Sequence, residues 1–250
     1  MYFDISQLQT YQWVLGIAGG MVIGMAKTGL SGLALFFIPL MAISFGNRES
    51  TGIILPMLCI GDIFAVAWYR QHGEIKYIMK LLPSTLCGLG VGVVVGSGLS
   101  DEAFGIMLGS IILGLLVLMV WQDASSKVNA YPNAWWFSAL AGLLAGFTTM
   151  IGNAAGAVMS IYLLSMRLPK NTFIGTSAWF FLIINLIKLP LQIYFWKNIS
   201  PETLAFDALM IPAIAAGALI GFRITGKIPE KAYRIFIIVM TGASAVMLFF

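Results

Sequence analysis

The sequence predicts an all-α polytopic membrane protein built from two inverted-topology repeats, each a broken helical hairpin followed by three transmembrane helices. Three observations carry this prediction. The 250 residues are 60% hydrophobic and only 10% charged, with a mean hydropathy of +0.93, outside the range of soluble globular domains. Apolar runs recur at the roughly 17–25 residues a helix needs to cross the hydrocarbon core. The two halves, 1–125 and 126–250, align with one another, and the charges of their matching loops are reversed.

The first segment, MYFDISQLQTYQW, holds Asp4 and no Lys or Arg, so it lacks the basic start of a signal peptide and is placed at the membrane interface. Residues 11–46 are apolar but broken by KTGLSG, which predicts a hairpin of half-spanning helices or short spans. Spans follow at about 50–69, 81–99 and 103–121. The second repeat opens with a hairpin over 134–166, broken by TTMIGNAAG, and continues with spans at about 172–195, 204–222 and 234–250. The hairpins are left open as re-entrant or fully crossing. A single helix through 11–46 ranks lower, because it makes eight spans and sends Arg167 and Lys170 to the outer side.

The duplication is visible residue by residue. Residues 81–105 align without gaps on 210–234, pairing Pro83 with Pro212, Gly88 with Gly217 and Gly92 with Gly221. Upstream, Gly20 and Gly24 pair with Gly142 and Gly146, and Asp62 meets Asn185 after a one-residue adjustment. Orientation follows from charge. In the first repeat the loop YRQHGEIKYIMK is basic and GLSDEAFG is acidic; in the second WKNISPET is nearly neutral and FRITGKIPEKAYR is basic. Placing the basic loops in the cytoplasm leaves Arg48 and Lys197 outside, Lys27 and Lys188 within the membrane, and the other ten of the 14 Lys and Arg residues inside. The repeats are therefore expected to be inverted, with both termini outside.

The broken hairpins are the candidate site. Non-helical backbone is tolerated at membrane depth only where it lines protein or water, and half-helix N-termini there attract anions. The first break offers Thr28 and Ser31 as capping hydroxyls beside Lys27, and the second offers Thr148, Thr149 and Asn153. Lys27 lies fourteen residues, or roughly 21 Å of helix, from Trp13 at the nearest edge, far for a lysine to reach water. A compact ammonium there suits a small oxyanion. Asn185 and Lys188 share a helix face, and Asp62 is an intramembrane carboxylate. Asp62 is read either as a coupling group or as the partner of a structural ion pair with Lys27 or Lys188. Thr51 and Thr176 are read as site hydroxyls or helix caps, and Gly16, Gly19, Gly20, Gly24, Gly88 and Gly92 as helix contacts.

The enzyme alternative is an intramembrane Ser/Lys hydrolase. GLSG at 29–32 matches the Gly-x-Ser-Gly of rhomboid proteases, with Lys27 four residues before Ser31. Rhomboid chemistry also needs an embedded histidine, and the single histidine, His72, falls in a loop. Cys59 and Cys87 sit in separate helices away from any Cys/His cluster, so no metal or other cofactor is expected. The net charge of +4 is explained by helix-end residues, so no nucleic acid partner is expected.

The runs GMAKTGLSGLALFFIPLMA, STGIILPMLCIGDIFAVAWYR, TTMIGNAAGAVMSIYLL and PKNTFIGTSAWFFLIINLIKLP together resemble the TauE/SafE sulfite exporter family over about the whole chain. Many members carry GGG in the hairpins, where this chain reads LSG and AAG. The resemblance implies a bacterial inner-membrane or plant membrane protein with duplicated halves that moves sulfite, sulfonates or related anions. The expected function is secondary transport, in the export direction, of a small sulfur anion bound near the midplane; an anion channel of the same architecture is the other non-enzymatic reading. The expected partners are that anion, a proton or sodium ion for coupling and membrane lipid, and a homodimer is compatible with these features.

Overall fold

The computed structural model describes residues 5–30, 33–100 and 134–229, with scattered positions in 102–110 and 232–239. The described residues form helices and no strands. The first hairpin is α1 (Thr10–Lys27) and α2 (Leu33–Phe45). After it, α3 (Asn47–Tyr69) and α4 (Ile75–Gly98) are joined through a 3-10 turn at Arg70–His72. The second hairpin is α5 (Trp135–Gly152) and α6 (Ala155–Ser165). It leads into α7 (Lys170–Leu191), one π-helical turn (Gln192–Trp196) and α8 (Pro201–Lys227).

Among the described residues, five stretches are long and apolar enough to cross a membrane: Asn47–His72, Ile75–Gly98, Trp135–Gly152, Lys170–Trp196 and Pro201–Lys227. Four coincide with predicted spans. The predicted spans 103–121 and 234–250 lie outside the described residues apart from the scattered positions. The fifth, α5, is a hairpin arm. At 18 residues it is about 27 Å long, whereas α6 keeps only 11 residues, about 16 Å. The arms are unequal because each break falls late in its apolar stretch.

Both breaks have a local cause. Gly29 adopts φ +132, a region that residues with a Cβ avoid. Asn153 ends α5 in the left-handed conformation at φ 55, and the following N–H, of Ala154, returns to Thr148 O at 3.3 Å, a helix stop that Asn tolerates. One expectation is corrected here. Thr28 does not cap the second half-helix but ends α1, where its hydroxyl donates to Gly24 O at 2.8 Å. A threonine hydroxyl in a last helical turn reaches the i−4 carbonyl before anything else.

The long arm of each hairpin packs against the last described span of the other half, α1 along α8 and α5 along α4. Both contacts are parallel and backbone-close. A Cβ on Gly24 would fall 2.1 Å from Ile214 O, and one on Gly217 would fall 2.0 Å from Met21 O. The matching glycines repeat the contact: Gly146 against Thr85 O at 2.0 Å and Gly88 against Leu143 O at 2.2 Å. Small residues do this where lipid gives helices no hydrophobic reason to associate. Gly146→Val is therefore expected to lower the unfolding temperature of the detergent-purified protein by several degrees, since overpacking costs about 1–3 kcal/mol. Gly90→Val, on an open face of α4, is expected to leave it unchanged. Equal shifts would mean that the crossing is not close.

The first spans, α3 and α7, cross antiparallel. Thr51 meets Asn198, Asp62 meets Asn185, and Gly175 meets the Tyr69–Gly73 turn. Thr51 donates to Arg48 O and accepts from Asn198, while Thr176 accepts from Glu74 N at 3.0 Å. These threonines tie each span to the loop after the other. The basic residues at the two N-termini act alike: Arg48 donates to Gly96 O and Leu99 O at the end of α4, and Lys170 to Thr225 O and Ile228 O at the end of α8. Each satisfies carbonyls that a helix end leaves open.

Candidate functional site

Where α3 crosses α7, the ends of both hairpin breaks line a partly open cavity of about 60 Å³. That is room for a few waters or one small oxyanion, at the roughly 10–15 Å³ a water requires. Its polar wall comes from Lys27, Asp62, Thr149, Asn153, Ser160, Ser177 and Asn185. Ala34 and Gly156, in the first turns of α2 and α6, also line it. Two helix N-termini thus open onto the space, where unpaired N–H groups favour negative charge.

The charged side chains form two adjacent clusters. Lys27 Nζ lies 2.8 Å from Asp62 Oδ1 and 4.3 Å from the centroid of the Phe181 ring, a cation–π contact. Asn185 Nδ2 donates to the other carboxylate oxygen, Asp62 Oδ2, at 2.7 Å. One turn further along α7, Lys188 donates to Thr149 Oγ1 at 3.2 Å and to Asn153 Oδ1. Asn153 in turn donates to Thr51 O at 3.2 Å, which fixes the second break to the start of α3. Asp62 and Lys188 are fully buried. Among the described residues, no carboxylate reaches Lys188. Lys27 and Asp62 therefore line the cavity, and Lys188 stands behind its Thr149 and Asn153 wall.

The structure brings Lys27, Asp62, Thr149, Asn153, Asn185 and Lys188 together. It does not bring Thr28 or Thr148 to the cavity, because the Thr148 hydroxyl donates to Leu144 O at 2.8 Å just as Thr28 bonds Gly24 O. Ser31 lies outside the described residues. Three lining residues carry no signal as residue types: Ser160, Ser177 and Phe181. Their spacing does carry one. Ser177, Phe181 and Asn185 recur every four residues on α7, and Asn153, Gly156 and Ser160 follow a helical face out of the second break. His72 sits in the turn after α3, Cys59 is buried and Cys87 is exposed, and neither cysteine is in a disulfide.

No curated protein and no solved structure matches the chain. The family model described as Sulfite exporter TauE/SafE matches residues 15–248. That match covers nearly the full length, including both hairpin breaks and every residue around the cavity, so the chain belongs to the TauE/SafE sulfite exporter family.

Proposed function

We propose that this multi-pass membrane protein is a secondary transporter of a bacterial inner membrane that exports a small sulfur oxyanion, bound between two inverted repeats. One observation carries the reading. Lys27 lines the cavity, Lys188 is buried behind its Thr149 and Asn153 wall, and Asp62 is the one carboxylate paired with either lysine among the described residues, which leaves positive charge for an anion to neutralise. A buried ammonium is stable only when paired, so a bound anion is the partner that would hold both lysines charged. The membrane potential, negative inside, favours anion exit by about 2.3 kcal/mol per charge per 100 mV. Proteoliposomes offered labelled sulfite, sulfate, thiosulfate and an alkyl sulfonate under imposed voltage and pH gradients test this. Movement of none of them overturns it.

The inverted repeat is supported by the antiparallel crossing of the matched spans. Asp62 and Asn185 each lie fifteen residues beyond the start of their own helix, so a two-fold axis across the helices passes near their contact, at mid-depth. The exchanged contacts of α1 with α8 and α5 with α4 fit the same axis. The sidedness follows from loop charge. In a background lacking Cys59 and Cys87, Gln71→Cys is expected to react with an impermeant maleimide only from the cytoplasmic side and Ser200→Cys only from the outside. Labelling of both from one side rules out the inversion. The hydrolase alternative loses ground on the same geometry, because the Lys27 ammonium is engaged by Asp62 and is not a free amine able to take a proton from a serine.

A further inference from the structure

Asp62 sits where an anionic substrate would. Its carboxylate contacts the Lys27 ammonium at 2.8 Å from within a cavity that otherwise offers only neutral donors. An anion that binds Lys27 must therefore compete with Asp62. Resting on the reading of this cavity as an anion site, we infer that Asp62 is an exchangeable counter-ion: the substrate takes Lys27 from Asp62, and Asp62 takes up a proton, so that one proton moves with each dianion.

Charge and geometry both support this. With Lys27, Asp62 and the Lys188 behind the cavity wall all ionised, the empty site and its immediate surroundings carry one net positive charge. A dianion alone would leave one net negative charge in a buried space, and one proton restores neutrality. No covalent bond other than O–H is made: a proton from water on the side the anion enters joins a carboxylate oxygen of Asp62 and leaves with the anion on the other side. The neighbouring side chain is suited to both forms. Asn185 now donates through Nδ2 to the carboxylate, while its own Oδ1 is buried without a hydrogen-bond partner. Turning the amide over presents Oδ1 as acceptor to the O–H of the protonated acid, an exchange that an amide allows and an aliphatic side chain does not.

The groups that bear on Asp62 are few. Lys27 faces it from α1, Lys188 and Asn185 from α7, and Cys59 lies one turn back on α3. No charged residue occurs in α2. On α8, Asp207 follows Phe206, which packs at Gly16, eleven residues or about 16 Å of helix before Lys27. Arg223 and Lys227 lie at the far end of α8, past Phe222, which stacks on Trp68 at 4.3 Å. Among the described residues, Asp62 is thus the carboxylate within reach of the exchange.

Two measurements test the inference. In sulfite-induced infrared difference spectra of the purified wild-type protein at alkaline pH, a carbonyl band of a protonated carboxylic acid should appear, and it should shift in Asp62→Glu. In proteoliposomes, net charge moved per labelled sulfite at alkaline pH should be about one in wild type and about two in Asp62→Asn, whose flux should also lose its pH dependence. Sulfite binding without the band, a band that Asp62→Glu leaves in place, or an unchanged charge ratio in Asp62→Asn overturns the inference while leaving the anion site intact. Absence of any sulfite binding overturns the site itself. The spectra of wild type and Asp62→Glu decide the matter even if Asp62→Asn does not fold.

Discussion

Lys27→Ala is expected to abolish sulfite flux and to destabilise the folded protein by roughly 3–5 kcal/mol, the cost of stripping one partner from a buried pair. The instability has a specific source: Asp62 is fully buried, and without Lys27 it retains only the Asn185 amide. Loss of flux in the single variant alone would therefore not separate a binding role from a folding role. Lys27→Gln combined with Asp62→Asn separates them. That pair replaces the ions with two neutral amides of similar shape, so the unfolding temperature in detergent should recover most of what Lys27→Ala loses, and the two changes should be strongly non-additive. Flux should stay absent, because no positive charge faces the cavity from α1. Lys27→Arg should transport poorly, since a broad planar guanidinium replaces a compact ammonium under the Phe181 ring. If the neutral double variant transports at the wild-type rate, Lys27 is a packing partner of Asp62 and no more.

Much of this site could be read from the sequence because polar groups inside long apolar runs are costly and therefore conspicuous. Lys27, Asp62, Asn185 and Lys188 stand out on that ground, and Thr149 and Asn153 on their place in a broken hairpin. The packing of the hairpins was visible as aligned glycines, whose role as helix contacts follows from spacing alone, although which helix each one meets does not. Partner assignment was the part that remained open. The pairing of Asp62 with Lys27, and not with Lys188, depends on how α1 lies against α3, where a Cβ on Gly61 would come 3.0 Å from Lys27 Cγ. No one-dimensional pattern encodes that approach. Thr28 and Thr148 mislead for a related reason. A hydroxyl beside a helix break suits a cap, a site or an i−4 carbonyl equally well in sequence, and only the backbone geometry selects the last. Ser160, Ser177 and Phe181 are ordinary in membrane helices, so only their register with Asn153 and Asn185 distinguishes them.

Lys188→Met should change function and stability in opposite directions. Lys188 is fully buried, and its ammonium is held by two neutral acceptors, Thr149 Oγ1 and Asn153 Oδ1, with no carboxylate against it among the described residues. Such a group is a standing cost to the fold, because neutral hydrogen bonds offset only part of the desolvation of a charge. Methionine fills similar volume without charge. The two acceptors it abandons have other recourse: Thr149 can bond back to its own helix as Thr148 does, and Asn153 keeps its bond to Thr51 O. The unfolding temperature in detergent should therefore rise, by an amount in the roughly 1–4 kcal/mol range seen when buried ionic groups give way to apolar ones. Sulfite flux should fall at least tenfold, because the remaining charges, Lys27 and Asp62, already neutralise one another. A residue whose removal stabilises the fold and disables transport is retained for the ligand and not for the structure. Were Lys188→Met instead less stable with flux intact, Lys188 would be a structural link between α7 and the second hairpin, and the anion would have to be sought at Lys27 alone.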